Sequence, residues 1–110
     1  MLRDLSIRVN LKGFRYLQEA VGILAEDEEQ GLNKELYAAL AKNHNVSIDA
    51  VERCIRTAIE SGWENRDPAC WHRYFPSLGA EPQNRPSNGL FLLELAKRLK
   101  LEMSWGRPRK

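Results

Sequence analysis

Residues 36–63 read LYAALAKNHNVSIDAVERCIRTAIESGW, and no other stretch limits the possible fold as tightly. Leu36, Tyr37, Leu40 and Ala41 follow a helical period that stops at about Asn43. His44 and Asn45 interrupt it, and Asn45 suits the left-handed backbone of a sharp turn. Ser47 is a good N-cap for a second helix, and Asp49 sits in its first turn where the dipole favours an acid. At about 100° per residue, Ile48, Val51, Ile55, Ala58, Ile59 and Gly62 share one stripe. Asp49, Arg53, Arg56, Thr57 and Glu60 lie opposite, with Ala50 and Glu52 on the flanks and Trp63 closing the helix against the core. A short helix, a polar turn and a longer helix with exposed arginines form the layout of a helix-turn-helix. In that layout the second helix enters the DNA major groove.

The remaining sequence reads as support. Leu2 and Leu5 suggest a short helix over residues 2–7. Phe14, Leu17, Val21 and Leu24 recur at steps of three and four, which predicts an amphipathic helix over residues 12–26, with Gly22 a mild defect in it. The acids at residues 26–29 break that period and Gly31 punctuates it. They lack the alternation of a calcium loop and read as a solvated end that faces away from phosphates. Asn33 can cap the helix that follows. Asp67-Pro68 is a strong start for a short helix over residues 68–75 carrying Trp71, Tyr74 and Phe75. Pro76, Gly79, Pro82 and Pro86 predict an irregular connection. Ser87 caps a last helix with Leu92, Leu95, Ala96 and Leu99 on its seam. No segment alternates as a strand does. The expectation is an all-α chain of about six helices, one effector domain over residues 1–104 and a basic, flexible tail over residues 105–110.

Bulk properties exclude more than they specify. With 110 residues the chain supports one modest core, and a net charge of +2 cannot by itself argue for nucleic acid. Any electrostatic footprint must come from where the charge sits. No apolar run approaches the roughly 20 residues of a membrane span, and no signal peptide is apparent, so no membrane role is expected. Cys54 and Cys70 form no C-x-x-C pair, which suits a reducing cytoplasm and small, buried or half-buried apolar side chains. There is no nucleophile–base set, no phosphate-cradling glycine loop and no metal cluster, and His44 and His72 stand alone. Enzyme activity, a cofactor and a metal are therefore not expected.

On the second helix Arg53 and Arg56 are the side chains suited to read guanine, through bidentate contact to O6 and N7. Glu52 can accept from cytosine N4 or orient an arginine, and Asp49 lies in the same base-facing turns. Lys42, Ser47 and Thr57 are candidates for phosphate contacts, which fix register without reading sequence. Against this stands a plainer reading: a solvated helix face in which Glu52 and Arg56 form an ordinary i, i+4 pair.

Three further stretches carry a family resemblance. KGFRYLQEA (residues 12–20), VERCIR (residues 51–56) and RPSN followed by Phe91 stand in order around the central segment. The chain resembles the C-terminal effector domain of the stage-zero sporulation master response regulators over residues 2–102. That resemblance implies an all-α, six-helix fold, binding to a short duplex DNA box, often as tandem copies, and contact with the transcription machinery. It places Glu52 and Arg53 where the family reads bases, with Arg56 on the same face. The family typically has arginine where this chain has Ala50 and phenylalanine where it has His44, so its box need not be this chain's box. Family members carry an N-terminal receiver domain with a phosphoaccepting aspartate, whereas the effector domain here starts at Met1. Either the receiver has been removed, or the domain stands free and is regulated without phosphorylation in cis. The rival expectation is an interaction module, without a receiver, that competes or pairs with a full-length regulator.

Overall fold

The computed structural model describes residues 2–8, 10–26, 34–78 and 84–106. It contains helices α1 (Lys12–Glu26), α2 (Lys34–His44), α3 (Ile48–Glu64), α4 (Pro68–Tyr74) and α5 (Asn88–Gly106). Single 3-10 turns lie at Arg3–Leu5 and Pro76–Leu78, and the described residues contain no strand. The fold is therefore all-α, as expected, with the initial helix reduced to one 3-10 turn. Ser6 ends that turn with φ 63, a left-handed residue that cannot propagate a helix. The acids at residues 27–29, Gly31, the Asn33 cap, the connection at residues 79–83 and tail residues 107–110 lie outside the described residues. Trp105 and Gly106, read from sequence as tail, continue α5.

The structure is built around α1, which packs against α5 on one side and α3 on another, and touches α2. Phe14, Leu17, Val21 and Leu24 are buried as their period predicts. Gly13, Tyr16, Ala20 and Ala25 are buried as well. A helix held between two partners buries a wider arc than the single stripe of a surface helix.

Gly13 fixes the α1–α3 crossing. A Cβ there would stand 2.0 Å from the Cys54 carbonyl oxygen and 2.8 Å from the Ala58 Cβ. Bare backbone thus lies directly on α3. At the far end of α3, Gly62 faces the Leu5 carbonyl oxygen at 2.6 Å in the same sense, which seats the N-terminal turn.

Trp71, Phe75 and Phe91 are fully buried, with ring centroids 5.2–6.0 Å apart. Trp63 meets Trp71 edge-on at 5.5 Å, the arrangement that ring quadrupoles favour. This aromatic block joins α3, α4 and α5. The Tyr74 hydroxyl donates to Asp4 at 2.8 Å, and burial together with that bond pushes its phenol up to about 12. Cys54 and Cys70 are half-buried free thiols.

Local signals hold at the helix ends. Ser47 accepts from the Ala50 N–H at 3.1 Å, Asp67 from Ala69 at 3.0 Å and Ser87 from Leu90 at 3.2 Å. Asn45 has φ 54, the left-handed turn residue between α2 and α3. Ser47→Ala leaves the Ala50 N–H without its cap and is expected to cost about 1 kcal/mol. Urea denaturation measures this, and an unchanged midpoint would show that the cap contributes nothing.

Candidate nucleic-acid interface

The geometry of α3 follows from its wheel. Val51, Ile55, Ala58, Ile59 and Gly62 are buried. Ile48, expected in the same stripe, is 38% exposed. It is the first helical residue, next to the turn, where the inner face of α3 begins before the packing against α1 does. Leu36, Leu40 and Ala41 of α2 are buried against the core, and Val46 packs on it from the turn. Ala41 keeps the two helices close, and the Val46 N–H donates to its carbonyl at 2.9 Å.

On the opposite side, Asp49, Arg53, Arg56 and Thr57 are exposed, as are Lys42 and Ser47 beside the turn. Six of the seven candidate residues are thus exposed, four along α3 and two on α2 and the turn that leads into α3. Glu52, the seventh, is half-buried on the flank. Its carbonyl oxygen accepts from the Asn88 side chain at 3.3 Å, so the start of α5 is tied to α3 at this residue. Tyr37 of α2 is also near: burial raises its phenol pKa first, and the Glu52 carboxylate raises it further.

Among the described residues neither Arg53 nor Arg56 has an ion-pair partner, so the pair of Glu52 with Arg56 suggested by their spacing is not formed. Two uncommitted guanidiniums on a rigid helix are preorganised donors for a planar acceptor. Glu60 on the same face is engaged, accepting from Arg85 at 2.5 Å.

His44 closes α2 against α1. Its Nε2 lies 2.5 Å from a Glu19 carboxylate oxygen, and its ring meets Tyr16 with centroids 4.6 Å apart. A histidine in a position where the resemblance expects phenylalanine thus keeps an aromatic contact and adds a polar one. At the other end of α3, Arg66 donates to the Trp63 carbonyl at 2.8 Å and lies 3.9 Å over the Trp63 ring. Asn65 donates to the Ser61 carbonyl at 2.9 Å. Side chains therefore satisfy carbonyls of the last turn of α3.

Sequence reasoning missed two basic residues beside this surface. Lys12 lines a hollow with Arg53, Cys54 and Thr57, and Arg15 lines an adjoining one with His44 and Val46. In the sequence both belong to an amphipathic helix and to the KGFRYLQEA stretch, neither of which assigns them a contact. The α1–α3 crossing at Gly13, which brings them here, is a tertiary feature with no periodic signature.

Two exposed arginines, without an ion-pair partner among the described residues, thus stand on the second helix of a helix-turn-helix, the layout that DNA-binding proteins use. A family model described as sporulation initiation factor Spo0A C terminal matches residues 1–99. The chain belongs to that family. The Spo0A C-terminal family is a DNA-binding effector domain of transcription regulation and is not an enzyme family. Among the described residues, no helix of this member is long and apolar enough to cross a membrane.

Proposed function

We propose that the domain binds duplex DNA with sequence specificity and regulates transcription in the cytoplasm, with α3 lying in the major groove. Arg53 and Arg56 read guanine, Glu52 and Asp49 contact or orient groups at the base edges, and Lys42, Ser47 and Thr57 bear on phosphates. The observation that carries this reading is the pair of exposed arginines on the face of α3 opposite its buried stripe, without an ion-pair partner among the described residues. A single copy makes a small interface and binds weakly. Two copies on tandem boxes gain affinity through linkage, and contact with the transcription machinery follows the family pattern.

Selection of bound duplexes from a random pool tests the reading directly. One enriched box is expected, and it is expected to differ from the family box where an arginine at residue 50 would reach. Affinity for it should fall roughly tenfold or more over a few-fold rise in salt. A pool that stays random, or a flat salt response, would reject the proposal. A second reading has an observation of its own: Leu90, Leu93 and Leu101 are exposed on α5. An interaction module that competes or pairs with a full-length response regulator would use such a face, and would show no retention on DNA at low salt.

A further inference from the structure

The reading helix carries the wrong net charge for the phosphates that would flank it. Along α3, Asp49, Glu52, Glu60 and Glu64 outnumber Arg53 and Arg56. The whole chain is only +2, so no general excess of cations makes up the difference. Backbone affinity depends on cations placed against phosphates. Those cations must come from elements beside α3.

The two flanks of α3 differ in what they offer. An α-helix nearly fills the major groove, about 12 Å wide, so each flank faces a phosphate strand. On one flank Asn88 binds the Glu52 carbonyl, and Arg85 is taken by Glu60. On the other flank Gly13 rests on the Cys54 carbonyl and delivers the start of α1 to the rim. There Lys12 shares a hollow with Arg53 and Thr57, and Arg15, three residues on, borders the turn that leads into α3. Both side chains are exposed, and neither has an ion-pair partner among the described residues.

Their position is also unfavourable for stability alone. Lys12 and Arg15 occupy the first turn of a 15-residue helix, where the dipole disfavours cations. A local electrostatic conflict that no partner among the described residues compensates is the kind of exception found at functional sites. The same dipole favours an anion set against those cations.

We propose that Lys12 and Arg15 hold backbone phosphates of the DNA strand running along the α1 flank of α3. This rests on α3 being the groove helix, and extends the site to a helix outside the helix-turn-helix. The clamp is blind to sequence: it sets affinity and register, while α3 sets choice.

The test uses the full chain and a duplex enriched by wild type, with dissociation constants measured across a salt series for wild type, Lys12→Gln, Arg15→Gln and the double variant. Each single substitution is expected to lower the magnitude of the log affinity against log salt slope by about 0.9, the contribution of one phosphate. The duplex box enriched by each variant from a random pool is expected to stay that of wild type. Lys12→Arg and Arg15→Lys, which keep the charge, are expected to keep the slope; thermal melting confirms that each variant folds. A double variant with the wild-type slope, or an altered box, would overturn the clamp and leave the groove reading standing. A wild-type chain with no salt-dependent binding would remove both.

Discussion

Arg53→Ala is expected to relax sequence choice in DNA binding at the base it reads while the protein stays folded. Arg53 lies on the exposed face of α3, opposite Val51, Ile55 and Ala58, and makes no contact on which the core depends. A surface truncation of this kind ordinarily changes stability by no more than about 0.5 kcal/mol. One bidentate arginine–guanine pair is worth roughly 1–3 kcal/mol of discrimination, so its loss relaxes preference at that base by about fivefold to 150-fold. Phosphate contacts from Lys42, Ser47 and Thr57 would persist, so residual binding should stay salt-sensitive, with selectivity reduced to what Arg56 and its neighbours read. Enrichment from a random pool measures choice and thermal melting measures the fold. An Arg53→Ala protein that still enriches the wild-type box would place base reading elsewhere. The neighbouring Ala50 bears on the same experiment. It is half-buried one turn before Arg53, and its N–H is engaged by the Ser47 cap. This surface therefore lacks a guanidinium at residue 50, and the enriched box shows what that omission does to specificity.

Most of what is local in this fold could be read from the residues in order. The caps at Ser47, Asp67 and Ser87, the left-handed Asn45 and the seams of α1, α3 and α5 rest on contacts within about four residues, which sequence spacing encodes directly. The exposed face of α3 was legible for the same reason, since one buried stripe fixes its opposite. What could not be read are the placements that depend on two distant segments meeting. Nothing in the period of α1 says that Lys12 and Arg15 stand beside Arg53 and Thr57. Nothing near residue 52 announces that Asn88 ties the last helix to the Glu52 carbonyl. Ile48 satisfied the periodic rule and is still 38% exposed, because a wheel assigns direction but not how far a packing partner extends. The placement of these two cations beside α3 therefore emerged only with tertiary structure.

The α1–α3 crossing gives the largest stability effect and one that local rules would get wrong in sign. Gly13 and Gly22 both lie inside α1. Helix propensity alone favours alanine over glycine by about 1 kcal/mol at either site. At Gly22 nothing lies within 4 Å of the added methyl, and Gly22→Ala is expected to stabilise by about 0.5–1 kcal/mol. At Gly13 the methyl would stand 2.0 Å from the Cys54 carbonyl oxygen, a backbone atom of a hydrogen-bonded helix that cannot rotate away. Relief requires α1 to lift from α3 over its first turns, loosening the packing of Phe14 and Leu17. Overpacking of this kind costs about 3 kcal/mol or more, so Gly13→Ala is expected to lose about 2 kcal/mol net, a substantial part of a stability of order 5–15 kcal/mol. Chemical denaturation of the two variants side by side gives the comparison: midpoints should move in opposite directions from wild type. A Gly13→Ala protein as stable as Gly22→Ala would mean that α1 does not sit on α3 by bare backbone. DNA affinity adds a second readout, because lifting the start of α1 also withdraws Lys12 and Arg15 from the rim of the reading helix. At a denaturant concentration where both proteins are folded, Gly13→Ala should therefore bind an enriched duplex with a shallower salt slope than Gly22→Ala.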